Sequence, residues 1–433
     1  MDPTTVGLLG LGILIIFLFS RMPVGFVMAL VGFVGFSYIV SVQGGLRILA
    51  KDVYTMFSSY SLTVLPLFIF MGQIAYHAGI SRRLYDCAYA LLGSLPGGLA
   101  MATIGASAGF SAICGSTNAT AATMATVALP EMKRYKYSDE LATGTVAAGG
   151  SLGILIPPSV ILIVYGIMTE QSIGELFAAG ILPGILLATL FILAVYVVVR
   201  LNPEKGPPGP KTDLKRKIYS LTGVIEMLVI FLFVMGGLFL GFFTPTEGGA
   251  VGAFITLLLA IARRMISWKS FLMAIQESIR ISCMVMVIVA GATVFGHFLA
   301  VSRIPYMLAS WVSGLPLPTW ATMGVIILVY LVGGCFMDAF GMILLTIPIF
   351  YPVILELGFD PIWFGVIIVL VTEMGVITPP VGVNVYVVSG VARDVPLEVI
   401  FRGVLPLLAA LLVCNILLIA FPQIALFLPS FLR

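Results

Sequence analysis

Apolar residues run along this chain in long unbroken stretches, each closed by a short polar or Pro/Gly-rich segment. The period-two alternation of a membrane β-barrel is absent. The stretches therefore predict helices, and their order is the same in two successive parts of the chain. Residues 5–19, 24–42 and 62–78, and then 221–241, 248–262 and 281–300, are long enough to cross a hydrocarbon core of about 30 Å, some of them only just. Two shorter runs follow, 98–113 and 119–129, joined by the polar tip Gly115-Ser116-Thr117-Asn118. Their partners are 320–336 and 339–354, joined around Asp338. This short–tip–short pattern predicts a re-entrant hairpin. Next, 141–156 and 159–169 are interrupted by Pro157-Pro158, and 362–377 and 381–391 by Pro379-Pro380. Adjacent prolines remove backbone donors and free carbonyls at mid-membrane depth, so these predict broken helices. One full span closes each part, 176–200 and 404–428.

The recurrence is a duplication. At an offset of 222 residues Pro23 falls on Pro245, Pro96 on Pro318, Pro130 on Pro352, Pro157 on Pro379, Pro158 on Pro380 and Gly153 on Gly375. After one inserted residue, Glu175, Gly180, Leu182 and Pro183 fall on Glu398, Gly403, Leu405 and Pro406. At the usual proline frequency of about 5%, chance would supply fewer than one of these proline matches. Residues 1–200 and 223–433 are accordingly read as two copies of one unit, joined by a polar, basic linker at 201–222. Five crossings per unit is an odd number, so the copies must lie in opposite orientations.

Composition and charge support a membrane reading. Of 433 residues, 60% are hydrophobic and 9% charged, against roughly 25% charged in a soluble domain. Mean hydropathy is +1.15. The fold class expected is therefore an all-α polytopic membrane protein with two inverted-topology repeats, each carrying a re-entrant hairpin and a Pro-Pro-broken helix. With the linker cytoplasmic, 18 of the 22 Lys and Arg fall inside, Arg21, Arg82, Lys133, Lys211 and Arg263 among them. Arg47, Lys51, Arg303 and Arg433 fall outside, a strong positive-inside bias that puts both termini outside. Residues 1–20 lack a basic leader and a cleavage site and are read as a retained first helix.

Several function classes drop out. The chain has no GxxxxGK[ST] phosphate loop, no HExxH and no GxSxG elbow, and its two histidines, His77 and His297, are far apart. A nucleophile–base pair or metal set for an enzyme is thus missing, and nothing points to nucleic acid. The five cysteines form no CxxC pair and are read as small buried hydrophobes.

Paired hairpins and broken helices around a midplane site are the architecture of a secondary transporter, and argue against a channel. The polar residues form two matching clusters. One is Ser116, Thr117 and Asn118 with the chain at Gly153–Pro158; the other is Asp338 with the chain at Gly375–Pro380, plus Asn384. Ser116 and Asp338 are equivalent at the 222 offset. Freed carbonyls and an acid suit a hard monovalent cation such as Na⁺. Hairpin tips present helix N-termini, whose N–H groups and dipoles suit an anionic substrate, with Thr117, Asn118 and Asn384 as side-chain donors. The plainer readings are interhelical hydrogen bonding for the Ser/Thr/Asn cluster and a structural ion pair for Asp338. Glu373 is read either as a third cation ligand or as a structural hydrogen-bonding group. Glu226 and Glu247 are read as scaffold, Arg280 as a snorkelling residue and His297 as a packed residue.

The segments Gly115-Ser116-Thr117-Asn118-Ala119-Thr120-Ala121-Ala122-Thr123, Ala128-Leu129-Pro130-Glu131-Met132 and Gly149-Gly150-Ser151-Leu152-Gly153-Ile154-Leu155-Ile156-Pro157-Pro158-Ser159 resemble the large membrane subunit of the TRAP (tripartite ATP-independent periplasmic) transporters. So do Thr244-Pro245-Thr246-Glu247-Gly248 and Gly375-Val376-Ile377-Thr378-Pro379-Pro380-Val381-Gly382. The resemblance covers essentially the whole chain, in order. It implies Na⁺-coupled import of a small organic anion, such as a C4-dicarboxylate, another carboxylate or a sulfonate, across the bacterial inner membrane. It implies an elevator-type transporter of the ion-transporter superfamily, and two partners: a periplasmic substrate-binding protein and a small four-helix membrane subunit. Some members carry that subunit fused at the N-terminus; this chain starts at the first span, so a separate chain is expected. Carried over, one Na⁺ site would use Ser116 with the backbone of Gly153, Leu155 and Ile156. The other would use Asp338 with Gly375, Ile377 and Thr378. Substrate would lie near Thr117, Asn118 and Asn384. The alternative is a stand-alone Na⁺ or H⁺:organic anion symporter without a binding protein.

Overall fold

The computed structural model describes residues 1–20, 22–209, 213–313 and 318–432. Arg21, Lys211 and Arg433, which entered the charge count, lie outside the described residues. The described chain is helical throughout. Its first part contains α1 (Pro3–Phe19), α2 (Val24–Ile39), α3 (Val42–Ser58), α4 (Val64–His77), α5 (Ile80–Leu92), α6 (Gly98–Cys114), α7 (Thr117–Arg134), α8 (Asp139–Gly150), α9 (Val160–Thr169) and α10 (Ile173–Leu201). After α11 (Leu214–Ser220) come α12 (Thr222–Phe239), α13 (Pro245–Ala262), α14 (Trp268–Ser302), α15 (Ile304–Ser313), α16 (Thr319–Gly334), α17 (Ala339–Glu356), α18 (Pro361–Val376), α19 (Val383–Val391), α20 (Leu397–Ala420) and α21 (Gln423–Leu426). Among the described residues, six helices are long and apolar enough to cross a membrane, or seven if the bent α3–α4 pair is one span.

Several boundaries differ from the sequence reading. The 281–300 span is the outer part of a 35-residue helix, α14. Its inner part carries Lys269, Gln276, Glu277 and Arg280, which break the apolar run without breaking the helix. In the first part the matching stretch is split: α3 meets α4 at a 58° bend, where Ser59 turns extended. α5, rich in polar residues, and the short α15 stand between the spans and the hairpins, where the sequence reading placed no element. The last span ends at Ala420 rather than 428. Cys283 is exposed on α14, unlike the other four cysteines, because it faces outward from the helix bundle.

Glycine sets how closely the helices approach. α2 lies against α14, where a Cβ at Gly25 would sit 2.9 Å from Ile288 Cα and one at Gly291 2.1 Å from Gly25 O. α8 lies against α20 in the same way: a Cβ at Gly403 would sit 1.8 Å from Glu140 O, and one at Gly144 2.2 Å from Gly403 C. Small-residue contacts of this kind replace the hydrophobic drive that lipid removes. One buried carboxylate ties three further elements. Glu226 of α12, 4% exposed, accepts both 2.7 Å hydrogen bonds from Arg83 Nη1 of α5 and lies 3.3 Å from Arg263 Nε at the end of α13. Glu247 closes a capping box with Thr244 at the start of α13. His297 is half-exposed, and its Nε2 lies 3.1 Å from Asp52 Oδ2 of α3, so a polar contact accompanies its packing.

The α8–α20 contact gives a stability prediction. Gly403→Ala forces backbone against backbone and should cost about 1–3 kcal/mol, read as a lower melting temperature in detergent. Gly390→Ala, where nothing lies within 4 Å of the added atom, is the control and should melt like the parent.

Candidate functional site

The two hairpin tips are built alike. α6 ends at Gly115, whose φ of +61° turns the chain, and Ser116 caps α7 with its Oγ accepting Ala119 N at 3.4 Å. In the second hairpin Asp338 caps α17, its Oδ2 accepting Phe340 N at 3.1 Å and Gly341 N at 3.3 Å. Both equivalent residues thus satisfy N–H groups that a helix start would leave bare.

Each tip rests on the broken helix of its own half. A Cβ at Gly153 would lie 2.5 Å from Ser116 O, and one at Gly115 would lie 2.6 Å from Pro158 O. In the other half a Cβ at Gly375 would lie 2.5 Å from Gly334 C and 2.7 Å from Cys335 N. The breaks themselves are a turn of 3₁₀ helix at Ser151–Ile154 followed by cis Pro157–Pro158, and the stretch from Ile377 through cis Pro379–Pro380 to Gly382. Side chains take up some of the freed carbonyls: Ser159 donates to Ile154 O, and Thr378 donates to Met374 O.

A small cavity of about 20 Å³ lies between the tips, lined by Ser116, Thr117, Asn118, Asp338, Ile154 and Phe340, among others. The structure therefore brings Ser116, Thr117, Asn118 and Asp338 together, although the first three come from one half of the sequence and Asp338 from the other. Gly153 lies against Ser116, and Gly375 against the second tip. Leu155 and Ile156 sit beside α10 instead: Leu155 O lies 2.4 Å from where a Cβ at Gly180 would be, and the Ile156 side chain lies at Gly184. Ile377 is buried, and Thr378 folds back on α18, its N donating to Gly375 O at 2.9 Å. Among the three residues expected at the substrate, Asn118 is exposed, Thr117 is buried at the cavity wall, and Asn384 is fully buried behind it.

That last arrangement contains the contact the sequence did not reveal. Thr117 donates to Glu373 Oε2 at 3.1 Å and accepts Asn384 Nδ2 at 3.0 Å. A glutamate within an apolar helix was the signal, but its partner lies 256 residues away. A second cavity of about 430 Å³ lies between α7, α8 and the loop after α19; Lys133 and Asp394, which form an ion pair, both line it. Lys133 holds the exposed Asp394 carboxyl below its usual range.

The comparisons with known proteins agree over nearly the full length. Residues 11–424 match the family model described as the tripartite ATP-independent periplasmic transporter, DctM component. The chain is 38% identical over 387 residues to the C4-dicarboxylate TRAP transporter large permease protein DctM of Pseudomonas aeruginosa, covering 89% of this chain and 90% of that one. It is 33% identical to the sialic acid TRAP transporter large permease protein SiaM of Vibrio cholerae, covering 95% and 96%. It is 35% identical to the isethionate TRAP transporter permease protein DctMQ of Oleidesulfovibrio alaskensis, covering 87% of this chain and 59% of that one. In fold it is similar to the YdaH transporter of Alcanivorax borkumensis, with a TM-score of 0.63 at 15% identity over 88% of this chain and 89% of that one.

The tip contact at Gly375 gives a test of the geometry. Gly375→Ala should lift the second tip off α18 and expose the buried Cys335 thiol. In a Cys283→Ser background its alkylation should speed up about tenfold, the factor that ~1.4 kcal/mol yields. An unchanged rate would mean the tip does not rest on Gly375.

Proposed function

The chain belongs to the DctM family, the large membrane component of TRAP transporters, and from that membership we propose that it imports a small organic anion across a bacterial inner membrane, driven by Na⁺. Its relatives are multi-span transporter permeases, not enzymes. The relatives named for a C4-dicarboxylate, sialic acid and isethionate share a small anionic substrate, and this is the class proposed here. The proposed partners are a periplasmic binding protein that delivers the anion and a small membrane subunit.

The observation that carries the reading is the cavity between the tips. It sets Ser116 and Asp338 beside two helix N-termini, with small polar donors and, among the described residues, no basic side chain on its walls. Cations would be held by Ser116 with the Gly153–Ile156 backbone and by Asp338 with Gly375, Ile377 and Thr378. The anion would sit over the tips, against Asn118 and Thr117, with Asn384 holding Thr117 from behind. Hydroxyl, carboxylate and carbonyl oxygens are the ligands a hard cation prefers.

The mechanism proposed is alternating access by elevator motion of two inverted repeats. Every helix of the first half has a counterpart near the 222 offset, α7 at 117–134 and α17 at 339–356 most closely. The glycine-packed α2–α14 pair would belong to the stationary scaffold. The α8–α20 pair, with the hairpins seated on their broken helices, would belong to the moving part. The topology is supported by ion pairs that each join residues read on one side: Arg83 and Arg263 to Glu226, Lys205 to Glu140, and Lys133 to Asp394 on the cytoplasmic side. His297 and Asp52 pair on the periplasmic side, where the termini would also lie.

Uptake into proteoliposomes containing this chain and its small subunit tests the reading, with an inward Na⁺ gradient, a panel of labelled organic acids, and the binding protein present or omitted. Uptake should need both Na⁺ and the binding protein. Uptake with Na⁺ alone would move the chain to the stand-alone symporters. Asp338→Asn should abolish or sharply reduce Na⁺-dependent uptake in a folded protein, and Ser116→Ala should weaken the Na⁺ dependence. A folded Asp338→Asn protein with unchanged Na⁺ dependence would sink the second ion site.

A further inference from the structure

Glu373 is a carboxyl group that neither proposed ion site uses. It lies near the end of α18 and is fully buried. The hydrogen bonds around it leave little freedom. Asn384 Nδ2 donates to Thr117 Oγ1 at 3.0 Å and to Ala147 O at 3.3 Å. Turning the amide over would set its oxygen against the Ala147 carbonyl, so its orientation is fixed. Since Thr117 accepts from Asn384, its own hydrogen goes to Glu373 Oε2, at 3.1 Å. Glu373 Oε1 and Asn384 Oδ1 are then buried acceptors with no donor among the described residues. Ser151, also fully buried, lies beside the carboxyl. No Lys, Arg or His among the described residues forms an ion pair with Glu373.

Thr117 covers one carboxylate oxygen, but a charged carboxylate with its other oxygen, and an amide oxygen, buried without a partner among the described residues form an unstable arrangement in a low dielectric, unless something positive stands among them. We propose that Glu373, Asn384, Thr117 and Ser151 form a further binding site for a monovalent cation of the Na⁺ type, distinct from the sites at Ser116 and Asp338. The proposal rests on the Na⁺-coupled reading and deepens it. A single positive charge neutralises the single carboxylate, whereas a divalent ion would leave a net charge buried. All the side-chain ligands are oxygens, as a hard cation requires.

The location gives such an ion a role. Thr117 belongs to the first hairpin tip and borders the cavity between the tips. Glu373 and Asn384 belong to the second half. Gly150 lets α8 close in from beneath: a Cβ there would lie 3.1 Å from both Asn384 Nδ2 and Thr117 O. A cation at this point links the tip of one half to the broken helix of the other, directly behind the substrate cavity. The site has no duplicate, because at the 222 offset Thr117, Glu373 and Asn384 correspond to Ala339, Ser151 and Leu162. Ser151 is itself a member of the site, so the ion would be shared between the halves and belong to neither alone.

The test counts labelled Na⁺ bound at saturation to the purified protein with its small subunit in detergent. Wild type should bind three ions, Glu373→Gln two and Asp338→Asn two. Glu373→Gln keeps the shape of the side chain and removes the charge, so in Na⁺-free buffer it should melt no lower than wild type. Equal counts for wild type and a folded Glu373→Gln protein overturn this site, while a lower count for Asp338→Asn leaves the coupled reading standing. A wild type that binds no Na⁺ overturns both. If Glu373→Gln does not fold, Asn384→Leu takes its place, and an unchanged count there likewise overturns the site. A count of two in both proteins, with one proton taken up by wild type alone, puts a proton at Glu373 and overturns the cation assignment.

Discussion

An N–H or C=O group left without a partner inside a hydrocarbon layer costs several kcal/mol, so irregular backbone survives there only where protein surrounds it or where it faces a cavity. Both hairpin tips and both proline breaks create such groups. Each is dealt with locally first. Ser116 and Asp338 take up N–H groups at the starts of α7 and α17, while Ser159 and Thr378 take up carbonyls beside the breaks. What those side chains do not cover is covered by placing each tip against a break, so that the irregular segments shield one another. The close approach of Gly115 to Pro158 O, of Gly153 to Ser116 O and of Gly375 to Gly334 follows from that need. In this sense the ligand cavity is the place where the shielding stops.

The same constraint separates what the sequence reveals from what it hides. Hairpins and broken helices were legible because glycine, proline and small polar residues interrupt apolar runs in a pattern that repeats. Ser116, Asp338, Gly153 and Gly375 were found that way, and the structure draws them around the two tips. α3, α5 and the inner part of α14 were not legible. Their charged residues lie at the edges of the apolar layer, where a helix continues without an apolar run to mark it. Leu155 and Ile156 sit toward α10, a detail fixed by the close approaches at Gly180 and Gly184 and by no local motif. The Thr117–Glu373–Asn384 contact joins residues more than 250 positions apart, so periodicity and spacing could single out Glu373 as unusual without finding its partners.

The distribution of charge at the tips constrains the order of events under the proposed function. Among the described residues the cavity wall carries one acid, Asp338, and no base. A helix N-terminus contributes roughly half a positive charge, and Asp338 already uses the one beside it, through Phe340 N and Gly341 N. An organic anion arriving at the bare cavity would therefore meet a negative wall. With cations in place, the same wall becomes neutral or positive, and the remaining N–H groups of α7, together with Asn118, can bind a carboxylate or sulfonate. Under the proposed function the attraction for substrate would thus reside in the ions. A site of this kind holds its anion only while the ions are bound, and loses it when they leave on the low-Na⁺ side. Coupling then needs no separate device: the charge that brings the substrate in is the charge that is later removed.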